Sequence, residues 1–162
     1  MLLWFWGTAF LTVWVVFHDP TIDYRVLLLG AILPDVIDAP FGGARIAHSV
    51  TFSVVVLIVV MLATIGRRAV RRRWLFLPIG MLLHLVFDGT FTDAKVFWWP
   101  FSGLSPSDAP LPSIDRGAWD LLLELIGLAI LMWAWRRFGL ADRRRRRLFW
   151  RTGHLVVRSV ID

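Results

Sequence analysis

The arrangement of the apolar residues restricts this chain more than any other feature. Five apolar runs can be drawn, at 1–17, 26–37, 48–65, 74–88 and 119–135, with arginine blocks between and after them. A helix that crosses a bilayer takes about 20 predominantly apolar residues, and about 17 suffice. By length the first, third and fifth runs qualify, the fourth is marginal and the second is short. Hydrophobic residues make up 57% of the 162 positions and charged residues 19%, with a mean hydropathy of +0.66. That is more apolar surface than one domain of this size readily buries in water. The expected fold is therefore all-α: a polytopic membrane helical bundle of about four to five apolar helices, the second short or re-entrant. Residues 1–135 would form the membrane-embedded domain and 136–162 a basic cytoplasmic tail.

The net charge of +6 is concentrated in two blocks, Arg67 to Arg73 and Arg136 to Arg147. Basic blocks can bind nucleic acid, but between apolar runs they mark cytoplasmic loops, so membrane lipids are the expected partner and nucleic acid is not. On this orientation only Arg45, Lys95 and Arg116 fall in outer loops. No positive region precedes the first run, which reads as an uncleaved span instead of a secretory signal. The location implied is the inner (plasma) membrane, multi-pass. The tail, with "RRRRRLFWR", reads either as an amphipathic helix on anionic lipid or as a solvated segment. The loop at 89–117 holds four prolines and the aromatic stretch "KVFWWPF", an interfacial anchor on the same reading.

The polar residues near the ends of these runs carry the chemistry. "LPDVID" places Asp35 and Asp38 three apart, "AHS" supplies His48, and "HLVFD" places His84 and Asp88 four apart on one helical face. In the drawn topology they meet at one depth, with Asp93 and Glu124 nearby. Carboxylates gathered in an apolar setting repel one another unless a cation compensates. Imidazole and carboxylate together suit a divalent metal, Zn²⁺ first, with Mn²⁺ or Fe²⁺ as alternatives. Each residue also has a plainer role open to it. Asp35 after Pro34 can cap a helix or form a turn, His84 can be a packed histidine, and His48 can simply open the third run. Asp93 can be a turn residue, and Glu124 a packing residue or an arginine partner. The absence of cysteine excludes disulfides, thiolate metal sites and cysteine nucleophiles. No phosphate-binding loop, dinucleotide motif or serine elbow is present.

The stretches "GAILPDVIDAP", "ARIAHSVTF" and "HLVFDGTFTDAKVFWWPF" together resemble the LexA-binding, inner-membrane-associated hydrolase family, also described as membrane-bound metal-dependent hydrolases. The resemblance covers about residues 26 to 103. It implies a metal-dependent hydrolase whose ligand and catalytic candidates are Asp35, Asp38, His48, His84 and Asp88. The chain departs from the family pattern in two places. Gly43, Ala44 and Arg45 stand where relatives carry the first histidine of the second motif, and "TFTDAK" lacks the usual glycine, with Asp93 as a substitute ligand.

The function expected is thus metal-dependent hydrolysis at the extracytoplasmic membrane face, on a phosphodiester or lipid-linked substrate. Two other classes compete: a small proton- or ion-coupled transporter using the same acids, and a non-catalytic membrane adaptor acting through the arginine tail.

Overall fold

A computed structural model describes residues 1–41, 43–103 and 117–156. The prolines at 106, 110 and 112, Arg116 and the last residues of the basic tail lie outside the described residues. Within them the secondary structure is helical, with no strand. The helices are α1 (Leu2–Phe17), α2 (Tyr24–Gly30), α3 (Leu33–Asp38), α4 (Val50–Ala63), α5 (Arg68–Trp74), α6 (Phe76–Asp88), α7 (Ala94–Phe97), α8 (Ala118–Arg137) and α9 (Arg143–Thr152). Short 3₁₀ turns cover Ala39–Phe41, Ile46–His48 and Thr90–Thr92.

The helical expectation is met, but the membrane bundle is not. Among the described residues no helix is long and apolar enough to cross a membrane. The apolar runs of the sequence are longer than the helices they form. α1 has 16 residues, α4 has 14 and α6 has 13, against the 17 to 25 or so that a span requires. The second run breaks into α2 and α3 of 7 and 6 residues. α8 reaches 20 residues, but Asp120, Glu124, Arg136 and Arg137 interrupt its apolar character at both ends. The described helices therefore do not form the transmembrane bundle expected from the apolar runs.

Local chemistry sets the helix ends. Asp23, Ser49, Asp93 and Asp142 cap α2, α4, α7 and α9 by accepting hydrogen bonds from first-turn amides, which satisfies donors that a helix start leaves orphaned. Gly89 and Gly153 end α6 and α9 in the left-handed region, where glycine carries no Cβ penalty.

Two pairs of helices meet backbone to backbone. A Cβ on Gly7 of α1 would lie 2.8 Å from the Gly127 carbonyl oxygen of α8. A Cβ on Gly80 of α6 would collide with the Leu27 carbonyl and come within 2.8 Å of the Ala31 amide. Only glycine permits these approaches. The second contact locks the α2–α3 junction against α6 and so fixes what the two helices present to each other. The core beside it gathers Phe10, Val13, Tyr24, Leu27, Phe76, Phe138 and Leu155. Leu155 belongs to the basic tail, which packs back onto the body: Leu155 N donates to Pro20 O at 2.8 Å and Tyr24 N to Gly153 O at 3.1 Å. The outward faces of α4 and α8, with Val55, Ile58, Val59, Leu62, Trp119, Leu121 and Leu125, stay exposed.

Candidate metal centre

Three short segments meet at the end of α6 where His84 lies. Pro34 stands in the first turn of α3, where its missing N–H costs nothing, and it fixes the start of the turn that carries Asp35. The chain then folds through two 3₁₀ turns and brings back His48, which is fully buried. His84 comes from the inward face of α6 and is 1% exposed.

Asp35, His48 and His84 each offer one ligand atom, and all three atoms lie within 4.8 Å of one another. His48 Nε2 is 3.2 Å from Asp35 Oδ1, and His84 Nε2 is 3.5 Å from the same oxygen. The imidazole rings stand edge to face with centroids 5.3 Å apart. Each ring is held by its other nitrogen. His48 Nδ1 lies 2.7 Å from Asp38 Oδ2, and His84 Nδ1 lies 2.7 Å from the Ala31 carbonyl oxygen. Those acceptors suit a proton on each Nδ1, so both Nε2 atoms face one place beside Asp35, where each would offer a lone pair to a cation bound there. Such outer partners orient metal-binding histidines and raise their basicity.

Asp38 is therefore placed differently from the sequence expectation. Its carboxylate, 2% exposed, accepts from the Arg45 amide at 2.8 Å, from the Ala47 amide at 3.4 Å and from His48. It orients His48 and does not join the ligand group. Asp88 shares a helical face with His84 and is buried, but its Oδ2 accepts from Thr90 Oγ1 at 3.1 Å and it stands outside the cluster of three. Asp93 caps α7. Glu124 accepts from the Leu3 amide at 3.0 Å, close to the N-terminal amine. Neither is at the site, and His18 and His154 stand apart from it too. The sequence reading missed the Ala31 carbonyl, which belongs to an apolar residue and carries no side-chain signal.

The ionisable groups of the site act on one another. Burial works to raise the Asp35 pKa, but the imidazoles of His48 and His84 more than offset it and hold the carboxyl well below the usual range. Burial works to depress His48, yet hydrogen bonds and charge from Asp35 and Asp38 push it up to about 9. His84 Nε2 is buried and, at 3.5 Å from Asp35 Oδ1, makes no hydrogen bond of good geometry. A buried polar nitrogen left unsatisfied costs about 1–3 kcal/mol, and two histidines with one carboxylate form a donor set suited to Zn²⁺. The residues present fit a divalent cation.

Comparison with protein-family models, with curated proteins and with solved structures finds no match.

Proposed function

We propose that Asp35, His48 and His84 bind a divalent transition metal, Zn²⁺ foremost, and that the centre serves hydrolysis. The observation that carries the reading is His84 Nε2, buried, without a hydrogen bond of good geometry and directed at the carboxylate that also faces His48. Three protein ligands leave one position of a tetrahedral site open, as hydrolytic centres require, whereas structural zinc sites are closed by four. The Asp35 side chain is 26% exposed, so one edge of the centre meets solvent. A bound cation would supply Lewis acidity and bring a water toward neutral pKa. Asp38 and the Ala31 carbonyl would hold the imidazoles in the tautomer and orientation needed. The substrate class offered by the motif resemblance is a phosphodiester. Among the described residues no helix is long and apolar enough to cross a membrane, so the expected spans lend no support to a lipid-linked substrate or to a proton pathway.

A second reading has its own observation. His48 is bonded to both Asp35 and Asp38, so Asp–His–Asp forms a hydrogen-bonded ion-pair network that needs no metal. Purified full-length chain distinguishes the two. The metal reading predicts one tightly held zinc per chain and stabilisation by about 2.7 kcal/mol at free zinc one hundred times Kd. Both should be lost in His84→Ala. Absence of stoichiometric metal, with no zinc-dependent shift in the unfolding midpoint, sinks the proposal. Zinc bound without cleavage of bis(p-nitrophenyl) phosphate removes the hydrolase part and leaves the metal site.

A further inference from the structure

A second constellation lies at the opposite end of α6 from His84, and the metal reading does not use it. A cavity of about 360 Å³ opens between the 19–23 loop, the start of α2, α5 and the end of α9, lined by Thr21, Arg25, Arg72, Arg73, Arg151 and His154 with Asp23 in its wall. Four guanidinium groups from three helices are unusual company, since like charges this close repel unless something negative joins them.

Part of the compensation is built in. Asp23, 4% exposed, receives Arg25 through two nitrogens at 3.0 and 2.8 Å and Arg73 Nε at 2.8 Å. Asp19 Oδ2 and Thr21 Oγ1 receive Arg72 Nη2, and Arg25 Nη1 reaches Trp150 O at 2.6 Å. These bonds fix where the guanidinium groups sit and consume only some of their donors. Among the described residues Arg151 has no carboxylate partner, and the described bonds of Arg73 use Nε alone. Four arginines against two aspartates leave an excess of two positive charges facing a cavity roomy enough for a small anion.

The geometry points to a phosphate-binding site in this cavity, with Arg73 and Arg151 as direct donors and Arg25 and Arg72 as braced neighbours. Guanidinium matches phosphate oxygens with parallel N–H donors, and a dianion balances the charge excess. The phosphate can belong to a soluble phosphomonoester or to a lipid headgroup, since both present the same oxygens. The site needs α9 folded back, which the Gly153 turn permits: a Cβ there would collide with the Asp23 carboxylate. Because Arg72 and Arg73 are more than half exposed, affinity should be modest and salt-dependent.

The test is a titration of the full chain with inorganic phosphate at constant ionic strength, followed by ³¹P NMR line width and calorimetry. A co-sedimentation arm uses phosphatidylcholine vesicles with and without phosphatidic acid. Arg73→Gln/Arg151→Gln should weaken binding at least tenfold, as expected for two lost charge-assisted contacts at partly exposed positions. Arg136→Gln, outside the cavity, should bind as wild type. Retention of the acid-containing vesicles without soluble binding supports the headgroup source, and soluble binding supports the free one. Both substituted side chains lie at the surface, and unchanged circular dichroism confirms folding. Equal binding of phosphate and chloride, or of the double variant and wild type in both arms, overturns the assignment.

Discussion

Replacing Asp38 separates a residue that orients a ligand from one that is a ligand. Its Oδ2 sits 2.7 Å from His48 Nδ1 and 2.8 Å from the Arg45 amide, while Oδ1 is 3.4 Å from the Ala47 amide. In Asp38→Asn the amide oxygen can take the Oδ2 place and keep both short bonds. Its NH₂ group then meets only the longest contact, so the fold should tolerate it, while the negative charge behind His48 is lost. In Asp38→Ala all three bonds go, and a buried ring nitrogen and two amides lose their acceptor. Loss of an outer-shell partner typically costs ten- to a hundredfold in metal affinity, which is about 1.4–2.7 kcal/mol. The Asn variant should sit near the lower figure and the Ala variant near the upper. The Ala variant should also lose about 3–5 kcal/mol of metal-free stability, because it leaves His48 half-paired in a buried place. A competition titration against a chromophoric zinc chelator at pH 7.5 reads the affinities, with circular dichroism to confirm folded protein. Unchanged zinc affinity in Asp38→Ala would refute the orienting role. A loss beyond a thousandfold in Asp38→Asn would show that Asp38 is itself a ligand.

Two further outcomes follow from packing and charge. Gly80→Ala places a Cβ against the Leu27 carbonyl and the Ala31 amide, so it should cost about 1–3 kcal/mol in urea unfolding. It should also weaken zinc binding, because it pries α6 from the carbonyl that holds His84. Asp23 is held below its ordinary pKa: burial works to raise it, but the bonds and charges of Arg25 and Arg73 prevail. A depressed carboxylate contributes stability above its unfolded pKa, about 3.9, and loses it as pH falls through the folded value. Asp23→Asn should therefore unfold earlier than wild type at pH 7, with the gap closing at and below pH 3. A constant gap across that range in thermal melts would contradict the pairing.

Much of the helical architecture was legible because apolar runs and capping residues are local. The run at 74–88 became α6 at nearly the same bounds, and the four-residue spacing in "HLVFD" does put His84 and Asp88 on one buried face. What hydropathy cannot register is where a run breaks. "LLLGAILPD" averages as one apolar stretch, yet it forms two helices, with the break where Gly30 at the end of α2 and Gly80 of α6 let the two backbones meet. The membrane reading failed at such breaks, since composition measures apolar content and not unbroken helix length. At the site, residue type picked out the three members of the cluster but could not rank them. Asp35 and Asp38 are chemically identical, and their roles diverge only because the 45–48 turn folds over Asp38 with its amides. The docking of the tail was equally hidden, since Arg25 and Trp150 meet across 125 positions of sequence.

The break between α2 and α3 has a consequence for how this centre can change. The group that steadies His84 is the main-chain oxygen of Ala31, and no replacement of the Ala31 side chain deletes it. His48, by contrast, depends on a carboxylate that a single codon change removes. One half of the cluster is thus exposed to ordinary point substitution. The other half answers only to shifts of the backbone, such as those a methyl group at Gly30 or Gly80 would impose from outside the site.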